Sequence, residues 1–383
     1  MQIKKRIRSI SAIAMLLVLA VPSLCLADGL SIDTGQTKAV IVMEAGSAQV
    51  IFSKNADEKL NCGGLVRLPA LLYAAECMDN GKISGDTQIT VSPEAAKVGG
   101  ATAFLKAGES LKAEDAMRAA VMITAGDATT ALAEACSGGH EAAVREINAR
   151  LIELGITQEI SSIDGKGTDF SAEDMAKLGA ALAASKTYRE YSGLYLDELI
   201  HENGSRTELV NQNRLIKSLD GCFSGSTGSS AEAGYCGVFM VKRNGAVFIA
   251  AVIGAKDSKT RFAVASKAVD TASAAVRVKT TVKKGDIVVE NAPVLGGIAK
   301  TVSLAAAEDV TLLVWDNEEP NVLINANEEY QAPIRAGDKA GAIEYSFEKS
   351  GMIIKTDLVF TIDVPLAGWG DFIGLCIDKW VHR

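Results

Sequence analysis

An alanine-rich helical stretch enclosed between two groups of short β-type runs limits this chain more than any other feature. Ala39–Glu44 and Gln49–Phe52 are rich in valine and isoleucine and are separated by Ala45-Gly46-Ser47, which reads as a hairpin. From about Gly64 to Tyr188 the apolar spacing turns helical. Helices are expected over Glu114–Ile123, Asp127–Cys136 and Glu141–Glu153, and Ser171-Ala172-Glu173-Asp174 opens another as a capping box. Strands resume after Leu219. Tyr235–Lys242 and Val247–Ile253 flank Asn244-Gly245, a strong hairpin signal, and Lys259–Ala275 is helical again. Strands, a helical block, more strands and a closing helix imply an α/β sandwich with an antiparallel sheet.

Near Val276 the composition shifts. Asp286–Val289, Val310–Leu313, Asn321–Ile324, Ile343–Phe347, Met352–Ile354 and Leu358–Ile362 read as short strands divided by Gly, Asn and Asp turns, a small all-β domain over 277–366. The last residues, 367–383, place Trp369, Phe372, Ile373, Cys376, Ile377, Trp380 and Val381 at helical spacing. The expected amphipathic tail helix is too short to span a bilayer but able to lie in its surface. The other end reads as a secretory signal peptide over 1–27: Lys4, Lys5, Arg6 and Arg8, an apolar run from Ile10 to Val21, and small residues at Cys25 and Ala27. That makes the chain exported, to the outer face of the cytoplasmic membrane or the cell wall. The net charge of −8 argues against nucleic acid as a partner. Three scattered histidines, His140, His201 and His382, and the lack of any Cys/His cluster argue against a metal, and no cofactor is expected. An oxidising compartment permits disulfides, with Cys222–Cys236 or Cys62–Cys222 as candidates and free thiols as the alternative; Cys77 and Cys136 suit free thiols best.

Several runs carry a resemblance. Lys54-Asn55-Ala56-Asp57, Phe104-Leu105-Lys106-Ala107-Gly108-Glu109, Leu132-Ala133-Glu134-Ala135, Ser171-Ala172-Glu173-Asp174-Met175-Ala176, Leu219-Asp220-Gly221 and Ala233-Gly234-Tyr235 are similar to segments of the serine D-alanyl-D-alanine carboxypeptidases, the low-molecular-weight penicillin-binding proteins. The likeness spans about Ala39 to Ala275, and the β domain and tail extend it. It implies a β-lactamase/transpeptidase-like sandwich over 28–276. It also implies three motifs, S-x-x-K, S-x-N and K-T-G, in which serine attacks the carbonyl between two D-alanines and lysine is the base.

Aligned on those runs, the motifs are degenerate. The first falls on Gly64-Leu65-Val66-Arg67, without nucleophile, and with an arginine that cannot give up its proton. The second falls on Ala125-Gly126-Asp127 and the third on Phe223-Ser224-Gly225. No catalytic set is intact at Gly64, Arg67, Ala125, Asp127 and Phe223, while Ser224, Gly225 and Thr227 remain as candidate substrate-binding residues. Arg67 and Asp127 are expected to form a salt bridge across the former site, Phe223 to fill the volume of the lost lysine, and Pro69 to bend the first-motif helix. The resemblance thus implies a pseudoenzyme that binds peptidoglycan stem peptide or a wall enzyme. An active serine carboxypeptidase and a membrane-surface scaffold held through residues 367–383 are the alternatives.

Overall fold

The computed structural model describes residues 30–315, 319–347 and 353–370. The signal-peptide reading and nearly all of the tail-helix reading lie outside them. No helix among the described residues is long and apolar enough to cross a membrane.

The first half is built on five antiparallel strands. Strands β1 (Ala39–Glu44) and β2 (Val50–Lys54) form the expected hairpin. A 3-10 turn, Gly63–Arg67, leads into α1 (Leu68–Asp79). Small elements follow: β3 (Gln88–Thr90), α2 (Pro93–Ala96) and β4 (Ser110–Lys112). The helical block continues through α3 (Ala113–Ile123), α4 (Gly126–Ser137), α5 (His140–Glu153), α6 (Ala172–Ala184) and α7 (Lys186–Ser192). A ribbon of β5 (Leu196–Ile200) and β6 (Arg206–Val210) and the short α8 (Leu215–Ser218) return the chain to the sheet. Strands β7 (Cys222–Ser230), β8 (Gly234–Arg243) and β9 (Ala246–Ala255) complete it in the order β2-β1-β9-β8-β7, and α9 (Ser258–Ala275) closes the unit.

Each face of the sheet has its own core, as strand alternation requires. Ile41, Val238, Met240 and Ile249 join the alanine-rich block of α1, α3, α4 and α6 on one side. Val40, Val42, Phe239, Phe248 and Val252 pack against Val264, Ala265, Ala268 and Ala272 of α9 on the other. Small side chains let the helices approach closely: an added Cβ at Gly179 of α6 would fall 2.6 Å from Val238 and 2.8 Å from Ile249. The capping box at Ser171 forms with Asp174, and both reciprocal hydrogen bonds are present.

From β10 (Val276–Val282) to the last strand, the regular elements of the described chain are all β: β11 (Ile287–Leu295), β12 (Thr301–Ala306), β13 (Val310–Trp315), β14 (Asn321–Ala326), β15 (Tyr330–Gln331), β16 (Lys339–Ser346) and β17 (Ile353–Phe360). It has a separate core around Val302, Leu304, Tyr345 and Leu358.

One expectation fails here, and one open alternative is decided. Pro69 does not bend a helix. It stands at the start of α1, where no backbone donor is required, and the first-motif residues precede it in the 3-10 turn. Of the alternatives left open for the cysteines, neither candidate disulfide forms: Cys62, Cys222 and Cys236 are free thiols. Strand register places Cys222 opposite Val241 and Cys236 opposite Gly228, too far along the ladder to bond. The Cys62 thiol instead hydrogen-bonds the carbonyls of Leu60 and Phe170.

Candidate functional site

The 3-10 turn places Gly64 and Arg67 on one side, because residues three apart eclipse in that geometry. Opposite lies the end of β7. A Cβ on Gly228 would come within 2.6 Å of the Leu65 nitrogen, and one on Gly63 within 2.9 Å of the Ser229 carbonyl carbon, so both positions need glycine. Gly64 is different. A Cβ there would meet only the Gly228 Cα, at 3.5 Å, an ordinary contact. The lost hydroxyl is therefore not excluded by space. Around this junction opens a cleft of about 1400 Å³, lined among others by Gly64, Arg67, Thr124, Thr227, Gly228 and Arg261.

Arg67 forms part of the cleft floor and is 8% exposed. Its Nη1 donates to the carbonyls of Thr124 (2.9 Å) and Ala101 (3.0 Å), and its Nη2 donates to Gly99. Burial pushes its pKa down, partly offset by Asp164 and Asp127; a guanidinium so placed still keeps its proton. The expected Arg67–Asp127 ion pair does not form. Asp127, 1% exposed in the first turn of α4, instead accepts the backbone N–H groups of Ala103 (2.9 Å), Leu105 (3.0 Å) and Ala128 (2.8 Å). The two charges grip one loop by its opposite polarities: Arg67 takes the carbonyls at 99 and 101, Asp127 the amides at 103 and 105. Gly126 N–H adds a bond to the Ala101 carbonyl. Each charge is satisfied without the other, which removes the reason to pair.

The registers of the second and third motifs also need correction. Of the second, Thr124 lines the cleft; it holds a left-handed φ of 55° and donates its hydroxyl to the Thr227 carbonyl across the gap. Ala125 and Asp127 are buried behind it. With Thr124 as the residue that faces the cleft, the second motif falls on Thr124-Ala125-Gly126, one residue earlier than the sequence alignment. Of the third, Thr227 and Gly228 face Gly64, so the set is Ser226-Thr227-Gly228, three residues later. Phe223 is at the other end of β7, half-buried against the helical core, and fills nothing in the cleft. Ser224 is fully buried and, like Gly225, does not line the cleft; of the three predicted binding residues only Thr227 does. Ser226 hydrogen-bonds the buried Tyr188 hydroxyl at 2.9 Å. In this register hydroxyls stand at 124 and 227 and a glycine at 228, with Gly64, Arg67, Ser226 and Gly126 at the other positions of the three motifs that the resemblance implies.

Arg261 was missed. It sits on the apolar stripe of α9 with Ala265, Ala268 and Ala272, is 6% exposed, and donates from Nη1 to the carbonyls of Cys236 (3.0 Å) and Gly228 (3.3 Å). Burial draws its pKa down to about 10, so it stays cationic near neutral pH. A charge in an alanine face was the available signal. Among the described residues, no hydroxyl lining the cleft hydrogen-bonds a lysine amine, and no cluster of His, Cys, Asp and Glu could hold a metal.

A five-stranded antiparallel sheet between a helical block and a terminal helix, with a cleft where a helix start meets the edge strand, defines the class of penicillin-recognising serine acyltransferase folds. The comparisons make this specific. The D-alanyl-D-alanine carboxypeptidase family matches residues 29–257, and the C-terminal domain of penicillin-binding protein 5 matches 277–366. The chain belongs to the D-alanyl-D-alanine carboxypeptidase family. It is 27% identical to D-alanyl-D-alanine carboxypeptidase DacF of Bacillus subtilis, over 90% of each chain, and 26% identical to DacC of Escherichia coli, over 90% of this chain and 89% of that one. The structure of penicillin-binding protein 5 from Haemophilus influenzae aligns with a TM-score of 0.74 at 21% identity, covering 88% of this chain and 100% of that one.

Proposed function

We propose that this chain is a non-catalytic member of its family, an exported protein that holds the D-alanyl-D-alanine end of a peptidoglycan stem peptide in its cleft without cleaving it. One observation carries the reading. Gly64 has no hydroxyl at the head of the 3-10 turn, and the group one turn on is an arginine whose guanidinium is committed to three carbonyls. Neither a nucleophile nor a base is available there. The features that bind rather than react are present: hydroxyls at Thr124 and Thr227, the close glycine junction, and the cationic Arg261, which suits a ligand carboxylate.

The test is calorimetric titration of the purified protein with a D-alanyl-D-alanine-terminated pentapeptide, with D-alanine release assayed in parallel. Saturable binding without release is expected. Release of D-alanine, or no binding at millimolar peptide, overturns the reading; the second result favours the scaffold.

A further inference from the structure

The six-stranded sheet of the β domain runs β14-β16-β17-β12-β11-β15, so β14 is an edge, bonded among the described residues to β16 alone. The strand, Asn321–Ala326, carries no charged side chain, and its three large apolar residues stay open: Val322 is 52% exposed, Leu323 55% and Ile324 44%. Edge strands are commonly protected by a charge, a proline or a bulge, and β14 has none of these between its ends. The ladder explains the exposure. Val322 stands opposite Tyr345 and Ile324 opposite Ile343, both buried in the β core, so Val322 and Ile324 continue the core face one strand past its cover. Leu323 is on the other face, in a row with Glu344 and Lys355, whose ion pair at 2.7 Å leaves the row without net charge.

We propose that β14 is a dimerisation edge, which pairs antiparallel with β14 of a second copy of this chain. The strand is complementary to itself. With a two-fold axis at Leu323, that residue faces its own copy on the outer face, and Val322 faces Ile324 of the second copy on the core face, so apolar meets apolar in each pair. The outer row then reads lysine, glutamate, leucine, leucine, glutamate, lysine, with an ion pair on each side and no like charges meeting across the axis. An axis one residue away, at Val322 or Ile324, sets Leu323 against an asparagine instead. Glu319, Glu328 and Glu329 flank the strand, which disfavours an anionic lipid surface as the occupant. So short an edge buries less than the roughly 1,200 Å² of a stable complex, which makes the dimer weak and concentration-dependent. The cleft takes no part, since its lining residues end at Arg261, before the β domain.

Sedimentation velocity of the purified full chain, from about 1 to 500 µM, is the test. The weight-average mass is expected to rise from one chain toward two. Leu323→Lys should keep the chain monomeric over the same range while its Tm moves by no more than about 2 °C, because the side chain it replaces is exposed. In a second measurement Leu323→Cys, oxidised at high concentration, should give two chains crosslinked through position 323 in peptide maps, and Ile287→Cys, exposed on β11, should not crosslink. A wild-type chain that stays monomeric, a dimer that Leu323→Lys leaves intact, or crosslinking at 287 as readily as at 323 overturns the proposal. So does binding of a monomeric chain to anionic phospholipid vesicles that is lost in Leu323→Lys, which assigns the edge to lipid.

Discussion

An asparagine at 126 would not fit beside Arg67. A Cβ there lies 2.5 Å from Val98 Cγ1 and 2.7 Å from Arg67 Cζ. The longer cation at 67 and the missing side chain at 126 are matched in volume, so the two changes belong together. Gly126→Asn is expected to cost about 1–3 kcal/mol by overpacking, measured by urea unfolding, and clearly less in an Arg67→Ala background. Equal costs in both backgrounds would show that the pair is not coupled. Gly64→Ser meets no such barrier and should change stability by less than about 0.5 kcal/mol. It should not restore D-alanine release, since Arg67 keeps its proton. At this scale the sequence showed Gly64 and Arg67 plainly, because Lys54-Asn55-Ala56-Asp57 anchors them. It misplaced the other motifs for identifiable reasons. Asp127 looks like an altered asparagine, although it is the residue that caps the loop. The upstream Leu219-Asp220-Gly221 anchor is separated from the cleft by a bulged strand start, between Cys222 and Ser224. The downstream Ala233-Gly234-Tyr235 anchor, fixed by the Ser230–Gly234 pairing, gives the true register.

Helix termini do most of the positioning. The N-terminus of α4 holds the 99–105 loop through Asp127, whose negative charge also suits that end of a helix. Asp127→Asn offers one acceptor oxygen where two were used and adds an unpartnered donor. Expected are a loss of about 2 kcal/mol and faster hydrogen exchange at the Ala103 and Leu105 amides; unchanged exchange would remove Asp127 from this role. Asp79, just at the end of α1, performs the same task for α7. Burial opposes its charge, but hydrogen bonds from Ser185, Thr187 and Lys186 outweigh it and hold its pKa below the usual carboxylate range. A lowered native pKa means stability present at neutral pH and lost as pH falls below about 4. Asp79→Asn should therefore narrow the stability gap between pH 7 and pH 3; an unchanged gap would contradict it. The long periodic helices, the capping box and the Asn-Gly hairpin were legible, since each carries its own local signal. The β5–β6 ribbon, Val276–Val282 and Thr301–Ala306 were not. Their pairing partners decide those strands, and alternation over so few residues is weak.

Across the molecule, three separate cores support the family's architecture around the cleft. The family's framework, both matched segments and the close approach of β7 to the 3-10 turn are all present, and on the proposed reading the groups that would move protons or form the acyl bond are replaced. The most direct measurement is exposure of the purified protein to a fluorescent penicillin, followed by intact mass determination. The account predicts no covalent adduct at any penicillin concentration that fully labels an active relative. A stoichiometric acyl adduct, on whatever residue, would contradict it.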